Sequence, residues 1–153
     1  MISRRRNRTF QMSMALVCLL LGSALYVFFR PTTLLMFQLA DALGLTSSIG
    51  VMRDWMAGFD CYLPKWIIFS LPFALWVSAY LLFINSIWMN STSLSRNVWF
   101  WCIPLVSIAA ELAQIKHIIP GTFDLTDFVA IIIAIIFFFF LLPLFNTFEK
   151  EKR

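Results

Sequence analysis

The stretch ELAQIKHIIPGTFDLTDF, Glu111 to Phe128, sets three carboxylates and a glutamine between two of the most apolar runs of the chain. Glu111 and Gln114 are three apart and so share a helix face, with Ser107 one turn before Glu111 on that face. Pro120 and Gly121 spell a turn, after which Asp124 and Asp127 stand three apart at the mouth of the next apolar run. Two carboxylates can in principle work as a general acid and a general base, and a mixed carboxylate and amide patch can hold a polar headgroup. Glu111, Gln114, Asp124 and Asp127 are therefore the candidate binding patch.

Each of these residues also has a purely structural use. At about 1.5 Å per residue, Glu111 lies only roughly 6 Å inside its helix end, where it can meet water or pair with Lys65, Arg53 or Lys116. Asp124 suits an N-cap, and Asp127 at the third helical position would meet the positive end of the helix dipole. A lone His117 in a short turn reads as a solvated residue. What these separate uses leave unexplained is that all four patch residues face one hairpin. The spacing of Glu111, His117, Asp124 and Asp127 fits no zinc or calcium signature, so neither a metal nor another cofactor is expected. The chain also lacks G-x-S-x-G, H-E-x-x-H and a phosphate-binding glycine loop, and it has a single histidine. No catalytic residue can be assigned on these grounds.

The elements that must position this patch are apolar helices. Of 153 residues, 61% are hydrophobic and 13% charged, and the mean hydropathy is +0.84. That balance lies outside the range of soluble domains and predicts an all-α integral membrane protein with no separate soluble catalytic domain. Seventeen Phe and six Trp suit acyl chains and headgroup boundaries. The net charge of +4 comes largely from the two ends, which fits an anionic cytoplasmic leaflet and not a nucleic-acid patch. Cys18, Cys61 and Cys102 have no metal-type spacing and predict no disulfide framework. The basic start followed by a long apolar run without an A-x-A-like site predicts an uncleaved helix.

A spanning helix needs roughly 20 mainly apolar residues, and four segments approach that: 12–29, 66–89, 98–115 and 125–145. Gly22 and Ser23 in the first would let a neighbour approach closely. Pro72 in the second and Pro104 in the third predict kinks. With the N-terminus inside, Arg4, Arg5, Arg6, Arg8, Arg96, Lys150, Lys152 and Arg153 lie in the cytoplasm, against Arg30, Arg53, Lys65 and Lys116 outside. Both termini are then cytoplasmic and the patch is on the outer face. The outer connection 31–65 carries a partly amphipathic run, Leu34 to Leu45, expected to lie in the outer interface as a helical segment, with a re-entrant or fifth spanning helix as the alternative.

The order E-x-x-Q, a short turn with Pro and Gly, then F-D-x-x-D opening a final apolar helix resembles the VanZ-like family of small bacterial membrane proteins. The residues that carry the resemblance are Glu111, Gln114, Phe123, Asp124 and Asp127, in the last third of the chain. SLPFALW, Ser70 to Trp76, is similar to an L-P-x-x-L-W signature of some small relatives, which often have an acid where Phe73 stands. Many relatives also carry Arg where Thr122 stands, and Asn and Gly where Ile131 and Ala134 stand. If that Arg serves the carboxylates, Lys116, Lys65 or Arg53 would have to replace it here.

The resemblance implies a single domain over 1–153 in the bacterial inner membrane, tied to antibiotic resistance of the teicoplanin type without a defined chemical step. The expectation is a non-catalytic envelope factor whose patch engages a membrane lipid, a lipid-linked envelope precursor or a partner membrane protein. The alternatives are an intramembrane enzyme using Glu111 and Asp127 on an envelope lipid, and a purely structural subunit.

Overall fold

The computed structural model describes residues 2–59, 62–89, 91–119 and 123–150, with side chains described from 6 to 141 within those ranges. Every regular element among them is helical: α1 (Ile2–Phe29), α2 (Leu35–Ala42), α3 (Thr46–Met56), α4 (Lys65–Phe69), α5 (Leu71–Ile87), α6 (Leu94–Ile115) and α7 (Leu125–Lys150). The predicted Pro120–Gly121 turn, Thr122 and Cys61 lie outside the described residues.

α1 begins well before the apolar run that the sequence predicts, because nothing in its Arg-rich start breaks a helix and Arg is a good helix former. It ends as predicted, with Arg30 N–H donating to Tyr26 O at 3.1 Å before Pro31 removes the next donor. The connection expected as one interfacial run is two helices. α2 closes on Gly44, whose φ of 70° needs a glycine, while Leu45 N–H donates to Ala40 O and Gly44 N–H to Asp41 O. The chain then restarts as α3.

Pro72 does more than kink the second apolar segment. The helix divides at Ser70, and Pro72 falls in the first turn of α5, where its missing N–H costs nothing. Pro104 behaves differently: α6 runs unbroken past it, starting from Ser93, whose hydroxyl accepts from Arg96 N–H at 3.2 Å.

α5 is the central element, packed against α1, α6 and α7. Leu81 on it is fully buried, and Val77, Leu82, Ile131, Ala134 and Phe138 close around it with Ala15 and Phe100. Gly22 and Ser23 have the predicted effect. A Cβ on Gly22 would meet Trp76 at 3.0 Å and Pro72 O at 3.1 Å, tighter than ordinary contact, so glycine lets α1 approach α5 here without either neighbour having to shift. The Trp76 indole N–H donates to Ser23 Oγ at 3.3 Å across the same contact.

Two helices, Arg6–Phe29 and Leu94–Ile115, are long and apolar enough to cross a membrane, while Leu71–Ile87 and Leu125–Leu141, the part of α7 whose side chains are described, are apolar but shorter. Only 11% of each long window is buried inside the protein. Leu16, Leu20, Leu105 and Val106 point outward, whereas the apolar stripe of a soluble helix faces its core. The pattern suits a membrane protein whose surroundings are themselves apolar.

Candidate functional site

The chain enters α6 and α7 so that the C-terminal end of one meets the N-terminal end of the other. α6 ends in a Schellman turn: Ile118 N–H donates to Ala113 O and His117 N–H to Gln114 O, each at 3.0 Å, with His117 in the left-handed region at φ 53°. His117 is exposed and terminates the helix. α7 starts on Asp124, whose carboxylate accepts from Thr126 N–H at 2.8 Å and from the Thr126 hydroxyl at 2.5 Å. These two bonds hold the Asp124 carboxyl below the usual carboxylate range, as an N-cap should. Asp127 is then the third residue of α7, as the sequence predicts.

The structure brings Glu111, Asp124 and Asp127 together. The Asp124 backbone N–H approaches the Glu111 carboxyl, and Glu111 lies within electrostatic reach of both aspartates. Two residues absent from the sequence-derived patch join them. Ser70, at the break between α4 and α5 and only 1% exposed, faces the Asp127 carboxyl. The two do not meet in a hydrogen bond of ordinary geometry, and Ser70 Oγ and Asp127 Oδ1 are both buried. Arg30 supplies the positive charge felt by Asp124 and Asp127. Gln114 gives its carbonyl to the Schellman turn, and its half-buried amide joins none of the hydrogen bonds described for this cluster.

The cation is therefore not one of the three that the sequence suggests. Lys65 and Lys116 are exposed, and Arg53 is engaged elsewhere. Its guanidinium donates from Nη1 to Val27 O at 2.5 Å and Arg30 O at 2.9 Å, capping the end of α1 and tying α3 to it. Arg30 is held by the break in the second segment: its Nη2 donates to Phe69 O at 3.0 Å. Its guanidinium carbon lies 4.9 Å from the Phe69 ring centre, 5.3 Å from that of Phe73 and 5.6 Å from that of Tyr26. A basic residue followed by proline at a helix end reads as a terminator, which is why sequence reasoning passes over Arg30. The available signal is that it is the first cation after an apolar run on the same side as the carboxylates.

Among the described residues, four polar atoms of this cluster, Glu111 Oε2, Asp127 Oδ1, Ser70 Oγ and Arg30 Nε, are buried without a hydrogen-bond partner. Buried polar groups are nearly always satisfied, so their concentration at one place calls for an explanation. Among the described residues no three His, Cys, Asp or Glu side chains are arranged to hold a metal ion. A separate cleft of about 360 Å³ lies between α2 and α3, lined by Gln38, Asp41, Arg53 and Asp54 among others. Its polar groups are largely occupied, Arg53 by α1 and Asp41 by the Thr46 hydroxyl at 2.7 Å.

A second polar cluster, unanticipated from sequence, sits at the other end of the bundle. Gln11 (1% exposed), Asn85 and Ser86 are buried there. Arg96 Nη2 donates to Asn85 Oδ1 at 3.4 Å, Asn85 Nδ2 to Gln11 Oε1 at 2.9 Å, and Gln11 Nε2 to Asn7 Oδ1 at 3.3 Å. This chain crosses α6, α5 and α1 and fixes their register. No family model, curated protein or solved structure matches the chain.

Proposed function

We propose that the protein is a multi-pass bacterial inner-membrane protein of the VanZ-like type, a non-catalytic envelope factor whose outer-leaflet patch engages a membrane lipid or lipid-linked envelope precursor. Four crossings are made by α1, by α4 and α5 together, by α6 and by α7, with both termini in the cytoplasm and α2 and α3 in the outer interface. The spacing of the two polar clusters supports this. Gln11 on α1 and Arg30 just past its end are nineteen residues apart (30 − 11), about 28 Å at 1.5 Å per residue, close to the roughly 30 Å of a bilayer's hydrocarbon core. The polar groups thus fall at the two boundaries and the apolar packing between them.

The observation that carries the functional reading is the group of orphaned polar atoms on Glu111, Asp127, Ser70 and Arg30. Donors and acceptors left open at an interface suit a ligand that brings both. The resemblance adds support, because Glu111, Asp124 and Asp127 are motif positions, and Arg30 stands in for the turn arginine that this chain replaces by Thr122. Phe73, at a position often acidic in relatives, lies under the Arg30 guanidinium.

The test is membrane abundance of Glu111→Gln and Asp127→Asn together with a crosslinking profile of bound lipids and the host's resistance to a lipoglycopeptide. Normal abundance with a changed profile and lost resistance is expected. Reduced abundance with an unchanged profile would make the patch a structural helix junction. An acid–base enzyme is the second reading, favoured by the proximity of Glu111 and Asp127; it requires Glu111→Gln to abolish turnover of an envelope lipid where binding alone would decline by degrees.

A further inference from the structure

The open atoms at the outer end do not stand alone. Next to Ser70 in sequence, Leu71 begins the lining of an apolar crevice of about 210 Å³ between α1, α5 and α7. Cys18, Ala74, Ser78, Ala134 and Phe137 are among its other walls, and Phe137 is exposed on the outer surface of the bundle, so the crevice opens sideways. Its walls are almost wholly apolar, as an acyl chain requires. On α5 its wall starts at Leu71, next to Ser70, and on α7 it lies beyond Asp127, from Ile133 to Leu141, while its α1 wall, Met14 and Cys18, stands nearer Gln11 than Arg30.

The chemistry of the cluster narrows the headgroup. Three carboxylates and one guanidinium leave an excess of negative charge, so a ligand that is itself only anionic is disfavoured. Glu111 Oε2 and Asp127 Oδ1 need hydrogen-bond donors, while Arg30 Nε needs an acceptor and Ser70 Oγ can serve either way. One headgroup that offers both is a primary ammonium a few bonds from a phosphate: the ammonium presents three N–H donors and the phosphate presents acceptor oxygens to an arginine. A quaternary ammonium has the charge but no N–H to give.

We infer that the outer cluster and the crevice together form a binding site for a diacyl aminophospholipid of the surrounding bilayer, with the ammonium at Glu111 and Asp127, the phosphate at Arg30 and an acyl chain in the α1–α5–α7 crevice. This rests on the lipid-binding reading above and names its ligand. Aspects of that reading concerning topology are untouched by it.

The experiment uses the full-length protein purified in detergent and exposed to equimolar phosphatidylethanolamine, phosphatidylcholine and phosphatidylglycerol of identical acyl chains, with the retained lipids quantified by native mass spectrometry. The wild-type chain is expected to retain the primary amine at least fivefold over its trimethylated counterpart and over the anionic lipid. The combined E111Q and D127N change should bring these ratios near one. Ser78→Phe should lower retention of all three lipids severalfold with their ratios kept. Because the amine and its methylated form are compared on the unaltered protein, the result does not depend on any variant folding. Equal retention of the amine and the trimethylated lipid, or preference for the anionic one, overturns the headgroup assignment and leaves a lipid site of another specificity. Retention of no lipid at all overturns both this assignment and the lipid-binding reading.

Discussion

The two polar ends of the bundle are built from similar materials and treat them differently. At the Gln11 end, amides pass hydrogen bonds from Arg96 through Asn85 and Gln11 to Asn7, and among the described residues there only Arg96 Nε is left buried without a partner. At the Glu111 end, four atoms on four residues are left so. The first arrangement links three helices through hydrogen bonds; the second leaves buried donors and acceptors unmatched among the described residues, which is the feature the lipid-binding proposal rests on. Charge reinforces the contrast, since neutral amides can be buried at modest cost once paired, whereas carboxylates demand a partner or water.

The comparison can be broken by measuring stability in micelles against lipid retention. Arg30→Met should have the largest effect at the open end, about 3 kcal/mol, because it removes a charged hydrogen bond to Phe69 O and three ring contacts and leaves Asp124 and Asp127 without their cation. Gln11→Leu should lower stability by about 2 kcal/mol by removing the acceptor of the buried Asn85 Nδ2, while leaving the lipid ratios unchanged. Glu111→Gln should do the reverse, changing lipid ratios with stability within about 0.5 kcal/mol of wild type. If unfolding showed Glu111→Gln to be as costly as Gln11→Leu, the two ends would be doing the same structural work.

Smaller effects sharpen the boundary between junction and site. Asp124→Ala should cost about 1 kcal/mol through loss of the N-cap, and Asp124→Asn only a few tenths. The folded Asp124 carboxyl titrates below its unfolded value, so its contribution is present above the ordinary carboxylate range and is lost as pH falls through the lowered value. Thermal unfolding of wild type and Asp124→Asn should therefore converge as the medium becomes strongly acidic. His117→Gly should raise stability by about 0.5 kcal/mol, because glycine adopts the left-handed turn without strain.

Much of the junction was legible in the sequence because it depends on neighbours in the chain. Asp124 as a cap, Asp127 three positions on and Gly22 as a contact all follow from local rules of helix geometry. The expected interfacial run split in two because the backbone groups at Gly44 could be satisfied by a closed turn. Arg30 and Ser70 escaped notice because their partners are remote: Arg30 meets Phe69 thirty-nine positions away, and Asn85 meets Gln11 seventy-four positions away. A polar residue inside an apolar run signals a buried contact but not with whom.

The break at Ser70 has a consequence for how this molecule can diverge. Arg30 is anchored by a main-chain carbonyl and by ring faces, so its place does not depend on which acids stand opposite it. The acidic positions at the end of α6 and the start of α7 are thereby free to drift, and, if the proposed lipid site is borne out, a lineage could exchange one headgroup for another by substituting those acids, with the guanidinium serving as a fixed reference point throughout.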